Sequence, residues 1–389
     1  MVPKGWILKE LQTIISGNIK NGFSPLASDS KTGYWVLGLG ALSDDGIKID
    51  EIKPVEPTKK VIDSVLSKGD FLVSRSNTPD KVGRSIQYKG EIDNCSYPDL
   101  MMKFRVDKAQ VYPLFVEHQL KSSVVRAYFK MCASGSSKSM VKINKKVLEK
   151  TPLLVPPLVE QQKIAKILST WDKAISTTER LIENSTQQKK ALMQQLLTGK
   201  KRLLDESGKR FEREWEEVEL GEISHITTGS SNREDSSLTG EYAFFDRSID
   251  VRTSGIFLFD AEAIIVGGEG QDFVPKYFEG KFDLHQRTYA IMDFKNTYGK
   301  FLFYYIGYYR HYFLSQAVGS TVKSLRLPMF QKMPVKLPSA KEQQKIASVL
   351  TNADKEIELL EQQLADLQQE KKALMQVLLT GKKRVVVDA

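Results

Sequence analysis

The 389-residue sequence has little cysteine, only Cys95 and Cys132. Two thiols supply neither a disulfide framework nor the ligand count of a zinc ribbon. It has no run of about 18 apolar residues, which excludes a transmembrane helix. The opening Met1-Val2-Pro3-Lys4-Gly5-Trp6 lacks the apolar core of a secretory signal. A soluble, cytoplasmic protein without structural zinc is expected. Four histidines, His118, His225, His285 and His311, are scattered without metal-ligand spacing. The Gly-Lys pairs at Gly199 and Gly381 lack the upstream glycine and the strand–turn–helix context of a phosphate-binding loop. There is no Asn/Asp-Pro-Pro-Tyr/Phe element of the kind amino-methyltransferases use, and Asn77-Thr78-Pro79-Asp80 does not replace it. Val36-Leu37-Gly38-Leu39-Gly40 is too little for a dinucleotide fingerprint. No catalytic residue and no metal site is therefore assigned.

What is present is an ordinary supply of core residues, 41% hydrophobic, and a formal charge of +9. That charge is uneven. Residues 1–159 carry +8 and residues 160–202 carry +5, whereas residues 203–341 carry −3 and residues 342–384 are neutral. A basic first half suits a polyanion such as DNA. A solvated basic surface gives the same numbers.

An internal repeat organises the chain. Glu160–Arg202 and Glu342–Arg384 align without a gap at an offset of 182, with 25 identities in 43 positions. Each begins Glu-Gln-Gln-Lys-Ile-Ala and ends Leu-Leu-Thr-Gly-Lys-Lys-Arg. Each reads as one long helix. In the second copy Ile346, Leu350, Ala353, Ile357, Leu360, Leu364, Leu367, Leu374 and Leu378 keep the alternating 4/3 spacing of a coiled-coil seam, interrupted by Lys371. The same register in the first copy gives Ile164, Leu168, Trp171, Ile175, Thr178, Ile182, Ser185, Lys189, Leu192 and Leu196. A lone helix would expose such a seam, so the two copies pair with each other or with another chain. A helix of this length spans about 57 Å. Ser339 and Glu342 read as a capping box, Pro157 replacing the serine in the first copy. Gly199 and Gly381 stand where a helix C-terminus favours a left-handed residue.

Weaker echoes precede each helix. Pro152 and Pro156 match Pro334 and Pro338; Trp6-Ile7-Leu8-Lys9-Glu10-Leu11 matches Trp215-Glu216-Glu217-Val218-Glu219-Leu220. Tyr112–Ala133 and Lys300–Ala317 both read as aromatic-rich helices ending in a Gly-Ser turn. The chain therefore divides into a variable domain (1–150), a helical spacer (151–202), a second variable domain (203–332, of which 203–214 is a charged linker) and a second spacer with its tail (333–389). Strand-like runs such as Asp70–Arg75 and Ala263–Val266 make each variable region a mixed α/β domain. The fold class is α+β, with two such domains and two long helices packed as an antiparallel coiled coil in a pseudo-twofold, cyclic arrangement. On that order, Gly381–Val386 should lie near Trp6, as Gly199–Leu204 leads towards Trp215.

Basic and small polar residues gather at turns. In the first domain they are Arg75, Asn77, Lys81, Arg84, Ser136, Ser137, Lys138 and Lys142. In the second they are Asn232, Arg233, Arg247, Arg252, Lys276, Arg287, Ser320, Thr321, Lys323 and Arg326. Arg and Lys reach guanine O6/N7 and Asn reaches adenine N6/N7, while hydroxyls and turn amides hold phosphates. An ordinary helix C-cap is the alternative reading of each Gly-Ser turn, and solvation that of any single Arg.

The duplicated helices, their proline lead-ins (Thr151–Pro157 and Met333–Pro338), the Trp…Leu starts and Gly69-Asp70-Phe71-Leu72-Val73-Ser74-Arg75 resemble the specificity subunit of type I restriction–modification enzymes. The resemblance covers essentially the whole chain. It implies a non-catalytic DNA-reading subunit in which each target recognition domain reads one half of a bipartite, asymmetric double-stranded DNA site. The helices would set the spacer and dock two modification subunits, which carry S-adenosylmethionine chemistry. Restriction subunits using ATP and Mg2+ would join them. No cofactor is implied for this chain itself, and no membrane. The second domain departs from the pattern at Ala261–Gly270, where Val266-Gly267-Gly268-Glu269-Gly270 replaces the Ser-Arg of the first. A coiled-coil scaffold that binds no DNA, and a single-chain nuclease or methyltransferase, are the other classes; the absent motifs argue against the last.

Overall fold

The computed structural model describes residues 2–386 except 45, 138 and 238. Packing gathers them into two units, residues 1–180 with 362–389, and residues 181–361. This grouping cuts across the linear division at 150, 202 and 332, because both units draw on both long helices.

In the first unit a four-stranded sheet runs in the order Ile15–Asn21, Met101–Val106, Phe71–Ser74, Ser85–Gln87. All four residues of Phe71–Ser74 are buried, as a strand covered on both faces requires. The segment read as one helix over Tyr112–Ala133 is two helices, Pro113–Lys121 and Ser123–Cys132. The break falls at Ser122, whose hydroxyl caps the second by accepting from the Val125 amide. The second unit holds a seven-stranded sheet, in the order His225–Thr228, Thr288–Met292, Phe259–Gly267, Lys276–Leu284, Tyr242–Phe245, Arg252–Ser254, Ser236–Ser237. Here too the aromatic segment divides, into Gly299–Tyr308 and His311–Gln316.

The repeat forms two helices, Leu158–Leu197 and Ala340–Leu378. Each unit packs the start of one against the end of the other. In the first, Ile164, Ala165 and Leu168 share a core with Leu374, Leu378 and Leu379. In the second, Leu192, Leu196 and Leu197 share one with Ile346, Ala347 and Leu350. The helices are therefore antiparallel. Ile164, Leu168, Ile175, Leu196, Ile346, Leu350 and Leu378 are buried; Trp171, Ile182, Leu192, Ile357, Leu360, Leu364, Leu367 and Leu374 are half-buried. Leu359, outside the seam, is 70% exposed.

The polar residues common to both repeats close each unit in the same way. Arg384 forms two hydrogen bonds to Glu160, at 2.6 and 2.7 Å, and Arg202 forms two to Glu342, both 2.7 Å. Each guanidinium lies 5.8 Å from the ring of the domain-start tryptophan, Trp6 or Trp215. Gln161 accepts from the Tyr112 amide and donates to the Pro156 carbonyl; Gln343 does the same with Tyr298 and Pro338. Asp172 pairs with Lys371, and Asp354 with Lys189. The proline lead-ins pair antiparallel with the domain starts, Pro152–Val155 with Ile7–Glu10 and Pro334–Leu337 with Glu216–Glu219. The Gly381–Arg384 turn meets the segment Pro3–Trp6 before the first strand, as the cyclic order requires, Arg384 also donating to the Lys4 carbonyl at 2.7 Å.

The expected capping box is only half made. Ser339 accepts from the Glu342 amide at 3.4 Å, but the Glu342 carboxylate turns to Arg202. An ion pair with a guanidinium outcompetes a neutral amide for a carboxylate.

Candidate nucleic-acid interface

In both units the basic turns converge on one end of the main sheet. In the first unit the strand Phe71–Ser74 runs on through Arg75 into Ser76–Asn77. That short strand pairs with Met140–Lys142, which pairs in turn with Ser134–Ser137. The Gly-Ser segment is thus a strand, and the helix before it ends at an extended Ala133. A C-cap is not its role. Lys138, and the side chains of Ser136 and Ser137, lie outside the described residues. Lys81 and Lys142 are exposed and Arg75 is half-buried, its Nη1 3.4 Å from the Asp99 carbonyl. Arg84 is tied down by Asp44 at 3.0 Å and the Leu42 carbonyl at 3.2 Å. Asn77 is turned inward, 5% exposed, accepting from the Thr78 amide and donating to Ser74 Oγ. An amide so committed shapes the turn.

The second unit repeats the plan with different side chains. The strand Phe259–Gly267 runs through Gly268 into Glu269–Gly270, which pairs with Lys323–Ser324 of the Gly-Ser segment. Gly268 is held closely: a Cβ there would lie 2.7 Å from the Arg287 carbonyl and 2.9 Å from the Tyr289 ring. Arg247 follows the strand Tyr242–Phe245, two places away in the sheet, and Arg287 precedes the neighbouring strand Thr288–Met292. Arg233 and Arg252 both stand 3.9 Å from Asp246, and Arg252 also reaches Ser236 Oγ at 3.3 Å. Lys276 donates to the Ser248 carbonyl, and Asn232 Oδ1 accepts from Gln286 at 2.6 Å. Ser320, Thr321 and Arg326 are exposed and Lys323 is half-buried.

The acidic partners were not legible in the sequence. Asp246 is 5% exposed. Burial works to raise its pKa, but the Ser248 amide and hydroxyl and the guanidiniums of Arg252 and Arg233 outweigh it and hold the carboxyl below the usual range. Burial lowers the pKa of Lys276 against the pull of Asp246 and Asp250. Glu269 accepts from Arg287 Nη1 at 2.8 Å and from Arg247 Nη1 at 3.0 Å. The second domain's lack of net positive charge thus conceals a cluster of cations held in place by the buried Asp246 and the half-buried Glu269.

Among the described residues no group of three His, Cys, Asp or Glu could hold a metal ion. Burial pushes the Cys95 thiol up to about 12, so it is inert. Among the described residues no helix is long and apolar enough to cross a membrane.

Comparison with known proteins gives the family. The type I restriction modification DNA specificity domain matches residues 7–185 and again residues 212–369. A chain named as the MjaX specificity subunit of a type I restriction enzyme, from Methanocaldococcus jannaschii, is 26% identical over 99% of this chain and 95% of its own length. The EcoDI specificity subunit of Escherichia coli is 30% identical over 43% of this chain and 37% of its own length. The crystal structure of a type I restriction-modification S subunit from M. genitalium shares the fold, with a TM-score of 0.65 at 15% identity over 96% of both chains. With two matches to the domain, one on each variable region and its helix, this chain belongs to the family of type I restriction–modification specificity subunits.

Proposed function

We propose that each recognition domain reads one half of a bipartite, asymmetric DNA sequence and that the chain is itself non-catalytic. The observation that carries this reading is the duplicated closure: one set of Glu–Arg, Trp and Gln contacts serves two domains whose tips carry different side chains. Like frames suit two copies of one partner, and unlike tips suit two different half-sites. The partners are two modification subunits, which supply S-adenosylmethionine chemistry, and restriction subunits, which supply ATP- and Mg2+-driven steps in the cytoplasm. The paired helices set the number of unspecified base pairs between half-sites. Half-sites about one turn apart, roughly 34–36 Å, put both domains on one face of the duplex. Methylating an adenine inside a duplex requires flipping it out, so this subunit need only position and bend the DNA.

Mapping methylated adenines in DNA from cells carrying this chain and its modification subunit tests the reading. A bipartite motif is expected, and exchanging residues 6–150 for another recognition domain should change one half of it. Methylation without a bipartite motif, or a change in both halves, refutes it.

A further inference from the structure

The replacement of the first domain's Ser-Arg by Gly268-Glu269 puts an acid among the basic turns of the second domain. A carboxylate facing phosphates is repelled, so its presence needs a reason. The backbone of Glu269 is fixed on several sides. Gly268 donates to the Arg287 carbonyl and accepts from the Leu325 amide, both at 2.8 Å, and Glu269 pairs with Ser324. The His285 ring accepts from the Arg287 amide at 3.0 Å and so fixes the turn that carries that arginine. The Glu269 side chain is 18% exposed, whereas Arg247 and Arg287 are 54% and 64% exposed. Each guanidinium spends one Nη1 hydrogen on Glu269, and no other protein partner of either side chain is described.

Two guanidiniums this close repel unless an anion lies between them. Glu269 supplies the anion and fixes two long side chains that would otherwise lose rotamer freedom on binding. The remaining N–H edges suit a pair of acceptors, and guanine O6 and N7 are the base edge that offers one. The same carboxylate makes a phosphate the worse ligand for these arginines.

We propose that Arg247 and Arg287 read guanines in the second half-site and that Glu269 is the positioning residue that holds them there. This rests on the bipartite reading above. The test maps methylation motifs made by the full chain with its modification subunit, for wild type and for R247A, R287A and E269Q. The wild-type second half-site should contain G·C pairs. R247A and R287A should each relax one of these pairs by about tenfold or more, and E269Q should relax both by less. The first half-site should stay unchanged in all three, which shows that the subunit still folds and assembles. Relaxation spread evenly over the whole second half-site, or a motif unaltered by these variants, overturns the inference alone. A wild type with no bipartite motif overturns the underlying reading and the inference with it.

Discussion

The Arg202–Glu342 closure can be tested by removing one partner. The Glu342 side chain is 1% exposed and Arg202 is its only described side-chain partner; the Arg202 side chain is 18% exposed. Arg202→Ala therefore leaves a buried carboxylate with neither water nor a donor, and also removes the contact with the Trp215 ring. Such a loss costs about 2–4 kcal/mol. Glu342→Gln keeps one acceptor for a guanidinium that can still reach water, and costs about 1–2 kcal/mol. For a unit of this size the first figure lowers the melting temperature by roughly 5–10 °C. Calorimetry measures the shift. The hydrogen bonds that Arg202 donates to the Glu342 carboxylate raise the Arg202 pKa above its usual value. Stability from a raised pKa is lost only as pH climbs through that value, so the wild-type pair stays intact at neutral pH. The double variant R202A/E342A should be less damaging than the sum of its parts, because no buried charge is stranded. A shift under about 1 °C in R202A, or additive single effects, would refute this account.

Burial pushes the His118 pKa down to about 4, against the pull of Asp172 and Glu117, with Ser169, Lys121 and Lys371 also nearby. The unfolded chain takes up that proton near pH 6.5, so this stability is present above pH 6.5 and is lost as pH falls to about 4. His118→Gln should make the acid limb of the first unit's urea stability shallower by up to about 3 kcal/mol; an unchanged limb would count against it. Gly199 and Gly381 share a repeat position and a left-handed backbone, with φ of +70° and +66°. A Cβ at Gly381 would meet Pro3 Cγ at 2.4 Å, and one at Gly199 would meet the Trp215 ring at 3.6 Å. Gly381→Ala should therefore lower its unit's melting temperature more than Gly199→Ala does, and equal shifts would contradict the contact. Deleting residues 179–182 and 361–364 removes about 6 Å from each helix while keeping the Asp172–Lys371 and Lys189–Asp354 pairs on either side. The mapped spacer should shorten by about two base pairs with both half-sites intact; altered half-sites would sink the ruler.

The repeat was legible because the chain carries its own comparison. Where two copies keep Ile164 and Ile346, or Leu168 and Leu350, at seam positions, periodicity names the face that is withdrawn from solvent. The same comparison singled out Glu160, Gln161 and Arg202 with their counterparts, yet periodicity gives no reason for a polar identity. Their purpose appears only in the fold, where the glutamates meet the arginine beyond the other helix and the glutamines meet the aromatic segment and the proline lead-in. Helix breaks were missed at Ser122 and Tyr309: the second segment stays aromatic through its break, and in the first only the pair Ser122-Ser123 marks it. The burial of Asn77 was not legible either, for a simpler reason. Asn is as good a turn-former as a base-reader, and only burial distinguishes the two.

Net charge misleads most in the second domain, and the point can be tested. If bulk charge governed its binding, Glu269→Gln, which adds one positive charge, should tighten both specific and random DNA. If Glu269 instead holds Arg247 and Arg287 in register, the two should part. Freed guanidiniums reach phosphates, so random DNA should bind more tightly, with a salt slope steeper by up to about one. Discrimination for the cognate second half-site should fall over the same salt series. Competition titrations of the assembled methyltransferase with cognate and scrambled duplexes measure both. A variant that gains equally on both duplexes would show that charge, not placement, reads this DNA.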